Sequence, residues 1–393
     1  MYSRLHAIAC VSLAIVVIAV VVGCGGGQRP SPSPGASTPT VAPTATASAT
    51  VSPTKTQTWT LAGPMTEQRL DGASVTLLGD GRVLIAGGVG DAIGPFSSAE
   101  LFDPKTGTFE PTGAMAEARA GHTATLLENG RVLVTGCGYE FNRTELYDPG
   151  SGAFKRGSAT KDWHCNGIAV RLRDGSVLVA GGLDPLSSSY LRAAEIYDPT
   201  TGAFRQVGSM KVARQHAQAV LLKDGRVLVM GGDQGDARDQ DITLDSAEIY
   251  DPQTQTFALA KPMNVPRTHF TATLLSDGRV LLVGGHNAGP EDAGRTAELF
   301  DPETGTFSLT GSMVAYRMDH SAALLEDGRV IVGGGDAFGG APAEIYDPTS
   351  GTFSLAPPWP QSVKLSLETT AVRLHDGRVL FIGMPGCLYQ PSH

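Results

Sequence analysis

The segment LLKDGRVLVMGG at residues 221–232 is followed by AEIYDPQTQTF at residues 247–257, and this pair of segments recurs along most of the chain. The first segment has seven variants, about fifty residues apart, which is a period typical of repeat proteins. Such a repeat indicates a small module that buries its apolar face only against neighbouring copies. The module therefore determines the fold.

Each module is predicted to form four short antiparallel strands. The segment HTATLL at 122–127 is typical of the first, inner strand. An Asp-Gly pair such as Asp224-Gly225 follows and supplies the positive φ angles of a tight hairpin. The RVLVxGG segment is the second strand. The AE[LI][FY]DP segment is the third, and the Thr-Phe segment after its Asp-Pro turn is the fourth. No helical periodicity is convincing between residues 59 and 393.

The repeat resembles that of the kelch family, whose units carry a glycine pair after the second strand, Tyr-Asp-Pro in the third strand and an aromatic residue in the fourth. The resemblance covers roughly residues 58–391 and implies an all-β, seven-bladed kelch-type β-propeller. The chain departs from the pattern locally. Cys137 and Met384 interrupt the glycine pair, Gln390 replaces the aspartate, and phenylalanine usually stands where the family often has tryptophan.

The two ends of the repeat region indicate how the ring closes. The segment GCLYQP at 386–391 aligns with the third strand of the other modules, and no fourth strand follows it. The segment TWTLAGPM at 58–65 aligns with a fourth strand, TFSLTGSM at 306–313, so Trp59 occupies the position that phenylalanine has elsewhere. We therefore predict that the N-terminal strand completes blade seven, as three strands plus one.

Residues 1–23 are typical of a secretory signal. Arg4 precedes an uncharged apolar run at 7–22, which is too short for a comfortable membrane span. The tetrapeptide VVGC at 21–24 resembles a bacterial lipobox, which implies lipid attachment at Cys24 and a place in the cell envelope, facing outside the cytoplasm. An ordinary cleaved signal and an uncleaved anchor remain alternatives.

Residues 24–57 consist mainly of Gly, Pro, Ser, Thr and Ala, and this composition predicts a disordered tether. A flexible coil of this length has an end-to-end distance of roughly 30 Å. The propeller is then expected at 58–393, held away from the membrane. A net charge of -9 and the lack of a basic run argue against nucleic-acid binding. We expect a monomer.

Two of the cysteines in the repeat region are predicted to lie near one face of the ring. Cys137 ends the second strand of blade two, and Cys165 begins the inner strand of blade three. In an oxidising compartment they could form a disulfide, and two free buried thiols are the alternative.

Charged residues and histidines recur at fixed positions of the module. A glutamate stands in the third strand of six blades, and an arginine precedes most inner strands, so we expect buried Arg–Glu ion pairs between neighbouring blades. Histidines near the starts of inner strands could surround one mouth of the central channel and bind a carboxylate, a sugar or a metal. A role in the framework is the alternative. The candidate mouth residues are Arg119, His122, His164, Arg214, His216, Arg267, His269, Arg317 and His320.

The loops that join the second to the third strands are expected to open on the same face, and they vary from blade to blade. Variable loops on a rigid scaffold are frequent binding sites. The aspartates of the long blade-four loop lack the spacing of a known calcium loop, so no metal is predicted there. The candidate loop residues are Asp233, Asp236, Asp239, Asp241, His286 and Asn287.

The chain has no phosphate-binding loop, no HExxH and no GxSxG motif, so no catalytic residue, cofactor or metal is assigned. Kelch propellers include enzymes similar to galactose oxidase, with a copper bound by tyrosines and histidines, and periplasmic sialic-acid mutarotases. Tyr139, Tyr316, Cys137 and His164 are the residues of the copper-binding types near the mouth, and their spacing does not reproduce that site.

We therefore predict a lipid-anchored, extracytoplasmic binding or scaffolding module for a protein or a glycan. The alternative is a carbohydrate-active enzyme with its site at the Arg/His mouth, closer to a sialic-acid mutarotase than to galactose oxidase. A purely structural component of the envelope is a third interpretation. Fold analogy alone does not decide among these functions.

Overall fold

The computed structural model describes the repeat region with short gaps. The described residues are 57–69, 71–90, 94–138, 142–235, 241–286, 293–335, 340–361, 363, 369–382 and 386–392. The predicted signal, Cys24 and nearly all of the predicted tether lie outside them, so these assignments stay predictions. Within the described ranges, no helix has the length and apolarity needed to cross a membrane.

The chain begins its regular structure with one short strand and then forms six complete sheets. The first strand is β1 (Thr58–Leu61). Blade one contains β2 (Asp71–Leu77), β3 (Val83–Val89), β4 (Ala99–Asp103) and β5 (Thr108–Pro111). Blade two contains β6 (Thr123–Leu126), β7 (Val132–Thr135), β8 (Arg143–Asp148) and β9 (Ala153–Ala159).

Blades three and four each carry an additional two-stranded hairpin between their second and third strands. Blade three contains β10 (Ile168–Arg171), β11 (Val177–Ala180), the hairpin β12 (Leu183–Asp184) and β13 (Ser189–Tyr190), then β14 (Ala194–Asp198) and β15 (Ala203–Gln206). Blade four contains β16 (Gln218–Leu221), β17 (Val227–Met230), the hairpin β18 (Asp233–Gly235) and β19 (Asp241–Thr243), then β20 (Ala247–Asp251) and β21 (Thr256–Leu259).

The remaining strands form blades five to seven. Blade five contains β22 (Thr271–Leu274), β23 (Val280–Val283), a 3₁₀ turn at Ala293–Arg295, β24 (Ala297–Asp301) and β25 (Thr306–Leu309). Blade six contains β26 (Ser321–Leu324), β27 (Val330–Gly333), β28 (Glu344–Asp347) and β29 (Thr352–Leu355). Blade seven contributes β30 (Thr370–Arg373), β31 (Val379–Ile382) and β32 (Cys387–Gln390).

The ring closes as predicted, with β1 as the outer strand of blade seven. The sheet has the order β1-β32-β31-β30, and Trp59 lies opposite Tyr389 in the antiparallel register. The Trp59 ring packs 4.1 Å from Trp359 and 4.9 Å from Tyr389, measured between centroids, and its indole N–H donates to Pro357 O at 2.9 Å. The seven-bladed, all-β propeller predicted from the repeat is confirmed.

The Asp-Gly turns differ in detail from the predicted geometry, because only the glycine has a positive φ. In blade four, Gly225 N–H donates to Leu222 O at 3.0 Å, and Leu222 N–H donates to Arg226 O at 2.8 Å. Gly225 has φ 93°, while the Asp224 carboxylate accepts the Arg226 N–H at 2.9 Å. This is a three-residue hairpin loop that ends in a left-handed glycine, and the aspartate stabilises it as a hydrogen-bond acceptor.

The apolar core lies between adjacent blades. One cluster combines Leu228 and Met230 of blade four with Phe270, Leu282 and Phe300 of blade five, all almost completely buried. Equivalent clusters lie between other neighbouring blades, as the repeat requires. No blade has a core of its own, so each sheet depends on the two beside it for burial.

A buried arginine pairs with a glutamate of the same blade ahead of five of the inner strands. Before blade four, the Arg214 guanidinium donates to Gly231 O at 2.7 Å and to Glu248 Oε1 at 3.3 Å. Both side chains are at most 1% exposed. The other Glu248 oxygen accepts the Lys211 N–H at 2.7 Å. We call this arrangement the Arg–Glu clamp, and it recurs in four further blades with the pairs Arg69–Glu100, Arg119–Glu145, Arg267–Glu298 and Arg317–Glu344.

The sequence predicted ion pairs between side chains of neighbouring blades, and the clamp does not connect the blades in this way. The glutamate lies in the third strand of a blade, and the arginine lies in the segment that leads into the inner strand of the same blade. The backbone of the arginine makes the connection to the previous blade, because Arg214 O accepts the Gly182 N–H at 2.7 Å. A Cβ on Gly181 would lie 2.7 Å from Arg214 O, and a Cβ on Gly182, which has φ 94°, would lie 2.5 Å from Cys165 O of its own blade. The glycine pair is therefore required by these close backbone contacts.

Two blades replace the clamp with other chemistry. In blade three, His164 takes the place of the arginine, with Nδ1 2.7 Å from Gly181 O and Nε2 3.2 Å from Glu195 Oε1. In blade seven, Cys387 takes the place of the glutamate, and burial raises the pKa of its thiol to about 12. Ser366 is at the corresponding arginine position, outside the described residues. Blade seven thus has neither the arginine nor the glutamate of the clamp.

Replacing Trp59 tests the closure of the ring. We expect Trp59→Ala to destabilise the protein by about 3 kcal/mol, because it removes ring packing from β1. Leu61→Ala on the same strand is the control, since Leu61 is half exposed and should cost much less. Chemical denaturation measures both. Equal effects of the two changes would contradict a closing role for Trp59.

Replacing Glu248 tests the Arg–Glu clamp. We expect Glu248→Ala to cost about 3–5 kcal/mol, because Arg214 is left buried without its partner. Arg226→Ala breaks an exposed pair with Asp224 and should cost less than about 1 kcal/mol. The melting temperatures of both variants provide the measurement. An unchanged melting temperature for Glu248→Ala would show that the clamp does not stabilise the blades.

Candidate functional site

One face of the ring gathers the starts of the inner strands and the loops between second and third strands. Isolated backbone bridges join Gln215 to Asp233 and Thr268 to His286. Each bridge pairs the residue directly after the clamp arginine with the first residue after the glycine pair of the same blade. The variable loops therefore begin beside the channel mouth, as the sequence suggested.

A ring of residues with left-handed backbone surrounds this mouth. Each of them follows the arginine or histidine of the clamp by two or three positions. Hydrogen bonds run between blades from one to the next, such as Asn166 N–H to Gly121 O at 3.0 Å and His216 N–H to Asn166 O at 2.9 Å. The residues with positive φ at this position are Gly72, Gly121, Asn166, His216, His269 and Asp319.

The four non-glycine residues of this ring have a backbone conformation that residues other than glycine seldom adopt, although Asn, Asp and His tolerate it better than most. Non-glycine residues with positive φ concentrate at functional sites, where the surrounding structure maintains them. Their succession in blades three to six gives one half of the mouth a polar lining, while blades one and two have glycine. This half is the candidate functional site.

The first histidine of the site is held by an aspartate from the blade-four hairpin. His216 Nδ1 lies 2.9 Å from Asp233 Oδ1. The same carboxylate accepts the Thr268 hydroxyl at 2.8 Å and the Gln215 amide at 2.9 Å. Burial opposes ionisation of Asp233, but these hydrogen bonds hold its pKa below the usual range. The Asp233 side chain is therefore an ionised carboxylate that is held in one position by its hydrogen bonds.

The second histidine is held by an aspartate from the next blade. His269 Nδ1 lies 2.5 Å from Asp319 Oδ1. Burial opposes protonation of His269, but the Asp319 carboxylate raises its pKa. The two imidazole rings lie together at 4.4 Å between centroids. We call His216, His269, Asp233 and Asp319 the mouth cluster. Its histidine side chains are 25% and 31% exposed, so a ligand can reach them.

The structure places the candidate arginines away from the mouth surface. Arg119, Arg214, Arg267 and Arg317 are at most 1% exposed and form the Arg–Glu clamps. His164 belongs to the same framework in blade three. The expected mouth of arginines and histidines is thus reduced to His216 and His269, because the long arginine side chains turn into the blades to satisfy buried carbonyls and carboxylates.

His122 and His320 also lie inside the framework. Their Nε2 atoms contact Ser74 Oγ at 2.9 Å and Thr271 Oγ1 at 3.0 Å, across the blade junction. Their Nδ1 atoms have no hydrogen-bond partner within the described ranges. Burial, together with the nearby arginines, lowers the pKa of each imidazole to about 3. Both histidines are neutral packing residues.

The loop residues contribute unequally. Asp233 is part of the mouth cluster, and His286 lies at the mouth with Nδ1 3.4 Å from the Tyr316 hydroxyl. Asp241 lies in β19. Asp236, Asp239 and Asn287 lie outside the described residues.

The hairpins of blades three and four stand beside each other at the rim. A Cβ on Gly235 would lie 2.8 Å from the Tyr190 ring, so the two hairpins are in contact. Leu186 is 70% exposed between β12 and β13, and Ile242 is 44% exposed in β19. The rim above this side of the mouth therefore offers apolar side chains next to the polar cluster.

Cys137 and Cys165 lie against each other at the junction of blades two and three. Both are free thiols. The contact with Cys165, together with burial, raises the pKa of Cys137, whereas the contact with Cys137 lowers the pKa of Cys165. The predicted proximity is therefore present, and the disulfide stays one of two alternatives.

Two clefts in the described structure lie on the face opposite to the mouth. One is lined by Leu172, Asp174, Asp224 and Asp251, between blades three and four, and a second has the equivalent residues of blades one and two. Because the same turns form both clefts, we attribute them to the repeat and not to a specific site.

Comparison with known sequences and structures agrees with this architecture. A sequence model described as the Kelch motif matches residues 164–211 and 217–264, which correspond to blades three and four. The fold is a kelch-repeat β-propeller. No curated protein matches the chain. The solved structure of a fungal alcohol oxidase of the AA5 family, in complex with copper, is similar with a TM-score of 0.66 and 18% identity. The alignment covers 86% of this chain and 77% of that one. At this identity the similarity concerns the fold.

The candidate residues for a copper centre, as far as the structure describes them, contact other side chains or backbone groups. Tyr139 lies outside the described residues. The Tyr316 hydroxyl contacts His286, Cys137 contacts Cys165, and His164 is held by Gly181 and Glu195. The three described side chains therefore have separate partners.

Three residues of the polar mouth were not singled out in the sequence, namely Asp319, Asn166 and Gln215. Asp319 and Asn166 stand two positions after the clamp residue, where His216 and His269 also stand. The signal in the aligned repeats is therefore a succession of Asn, His, His and Asp at one position, all of which tolerate left-handed backbone.

The buried histidines make stability depend on pH. The unfolded chain binds a proton at His122 and at His320 below about pH 6.5, whereas the folded protein does so only at about pH 3. Stability should therefore fall as the pH decreases through this window, by about 1.4 kcal/mol per pH unit for each histidine.

A double change to phenylalanine tests this pH dependence, because Phe270 occupies the same repeat position before blade five. We expect His122→Phe/His320→Phe to reduce the slope of unfolding free energy between pH 6 and pH 4, while carboxylates with lowered pKa, such as Asp233, keep part of it. Urea unfolding at several pH values measures the slope. His286→Ala, which changes an exposed histidine, should leave the slope as in the wild type. An equal slope in the double variant would refute the assignment.

Proposed function

We propose that this kelch propeller is a membrane-tethered, extracytoplasmic binding module that holds a neutral glycan at the mouth cluster. The observation that carries the proposal is the side-by-side arrangement of His216–Asp233 and His269–Asp319 on a strained ring at the channel mouth. Kelch propellers serve as binding or scaffold modules in general, and polar residues that converge on a concave surface favour ligand binding there.

The chemistry of the mouth favours sugar hydroxyl groups. Carboxylates accept hydrogen bonds from hydroxyls, and imidazoles and amides both donate and accept. Asp319, Asn166 and the two histidines provide these groups, while Asp233 and Gln215 are buried behind them and orient His216. The carboxylates and the net charge of -9 disfavour a strongly acidic ligand. A neutral glycan suits this balance better than sialic or uronic acids.

The rim supports the same proposal. Tyr190, Leu186 and Ile242 offer apolar surface beside the polar cluster. Sugar rings have both hydroxyl edges and C–H faces, so a site that combines the two kinds of surface matches them. An extended protein segment that uses the same rim is the competing ligand class.

The cellular setting of the proposal comes from the sequence. The apolar run at 7–22, the lipobox-like VVGC and the tether at 24–57 support export and attachment through Cys24. With β1 beginning at Thr58, a tether would lead directly into the closing strand of blade seven. The mouth would then face ligands outside the cytoplasm.

A second candidate function is proton-transfer catalysis on a carbohydrate. The observation that favours it is the contact between His269 and Asp319, because a carboxylate that raises the pKa of a histidine prepares it as a general acid. Conversion of a sugar would separate this candidate from simple binding.

A thermal-shift screen of the full chain against neutral sugars, sialic acid and uronic acids tests the proposal. A neutral oligosaccharide at about one hundred times its dissociation constant should stabilise the native state by about 2.7 kcal/mol. Asp319→Asn should reduce the shift, because it removes a charged acceptor and keeps a residue that tolerates the backbone. Proton magnetic resonance of the bound sugar would detect turnover.

Arg226→Ala on the opposite face is the matched control and should leave the shift unchanged. A shift with acidic sugars alone would contradict the neutral glycan. A flat screen, combined with capture of a peptide partner that depends on Leu186, would replace the glycan by a protein ligand.

A further inference from the structure

We propose that His216, His269 and Asp233 form a site for a divalent transition-metal ion, with Zn²⁺ as the representative ion. The inference goes beyond glycan binding and does not depend on which organic ligand the mouth takes. It also differs from the expectation of no metal that the sequence motifs gave, because the two histidines come from different blades and the aspartate comes from a loop.

The donor atoms are close enough for one ion. One ligand atom from each of the three side chains lies within 4.8 Å of the other two. Zn–N and Zn–O bonds of about 2.0–2.1 Å in a tetrahedral site require donors about 3.3 Å apart. The His216–Asp233 pair is already at 2.9 Å. The partly exposed His269 ring supplies the third donor atom, within 4.8 Å of the other two.

The donor types favour this class of ion. Two imidazoles and one carboxylate suit Zn²⁺ and its neighbours, whereas Ca²⁺ and Mg²⁺ prefer oxygen ligands alone. Three protein ligands leave a fourth position open toward the mouth. This is the usual coordination of a zinc ion that also binds water or a ligand.

The surrounding residues orient the donors as outer-shell groups do in known metal sites. Asp319 contacts Nδ1 of His269, which leaves Nε2 as the atom available for a metal. Thr268 and Gln215 donate to the Asp233 carboxylate and fix its position. The outer groups therefore support two of the three ligands.

The contact between the two rings adds an independent argument. Centroids 4.4 Å apart bring two imidazoles together in a partly shielded place. The two rings therefore bring their nitrogen atoms into the same small volume as the Asp233 carboxylate.

A second cluster of similar composition does not share these properties. Asp162, His164 and Glu195 also bring donor atoms together. However, both His164 nitrogens are taken by Gly181 O and Glu195, and the Glu195 oxygens accept backbone N–H groups. This cluster is the blade-three form of the clamp, so the proposal is confined to the mouth.

The test uses the full chain, stripped with a chelator and titrated with ZnCl₂ alone by calorimetry at pH 7.5. We expect one ion per chain with a dissociation constant below about 10 µM, which corresponds to a binding free energy of about 7 kcal/mol. His216→Asn and His269→Asn should each weaken binding at least tenfold. Asparagine is chosen because Asn166 already occupies this backbone position in blade three.

His375→Ala is the matched control, since it removes an exposed histidine in the turn between β30 and β31, away from the mouth, and should leave Zn²⁺ binding unchanged. The melting temperature of each variant without metal shows whether it is folded, and Asp233→Asn provides a third ligand change if one histidine variant is not. Binding that is absent from the wild type, or unchanged in folded His216→Asn and His269→Asn, would overturn the proposal. Failure of the sugar screen would leave the metal result unaffected.

Discussion

At most of the blade junctions, a buried arginine or histidine side chain needs hydrogen-bond partners. The rest of the structure depends on the arrangement of these partners. Five arginines and one histidine meet this requirement with the same partners, a glycine carbonyl and a glutamate of the third strand. Because the arginine carbonyl also accepts an N–H group from the previous blade at several junctions, one residue determines both the spacing of the blades and the backbone of the next inner strand. The apolar clusters fill the space that this geometry defines.

The mouth is a consequence of the same geometry. Two or three residues after the clamp, the chain turns through a left-handed residue before it enters the inner strand. Glycine would suffice at this position in every blade, and blades one and two use it. In blades three to six the chain instead has Asn, His, His and Asp, whose side chains line one half of the mouth. The framework is therefore nearly symmetric, whereas the candidate site is not.

Sequence periodicity was sufficient for the fold, because turn residues, strands and the closing Trp59 segment all repeat in register. It was less informative for the site. In the sequence, the arginines and histidines near the inner strands appeared equivalent, but they differ in side-chain length and in burial. Arg214 reaches back into its blade, whereas His216, two residues later, faces the mouth. The pairing of His216 with Asp233 joins an inner-strand residue to a loop residue of the same blade. The pairing of His269 with Asp319 crosses a junction. Neither pairing follows from spacing along one repeat.

The position of β1 has a mechanical consequence. Any tension that reaches the propeller from upstream of Thr58 acts first on a strand of four residues, paired on one side only with β32. The load is shared by the ladder from Thr58 to Leu61 and by the indole ring of Trp59, which is wedged against Trp359 and Tyr389. The strand that completes the circle is thus also the element that would yield first, and its detachment would open blade seven before the other six blades are strained.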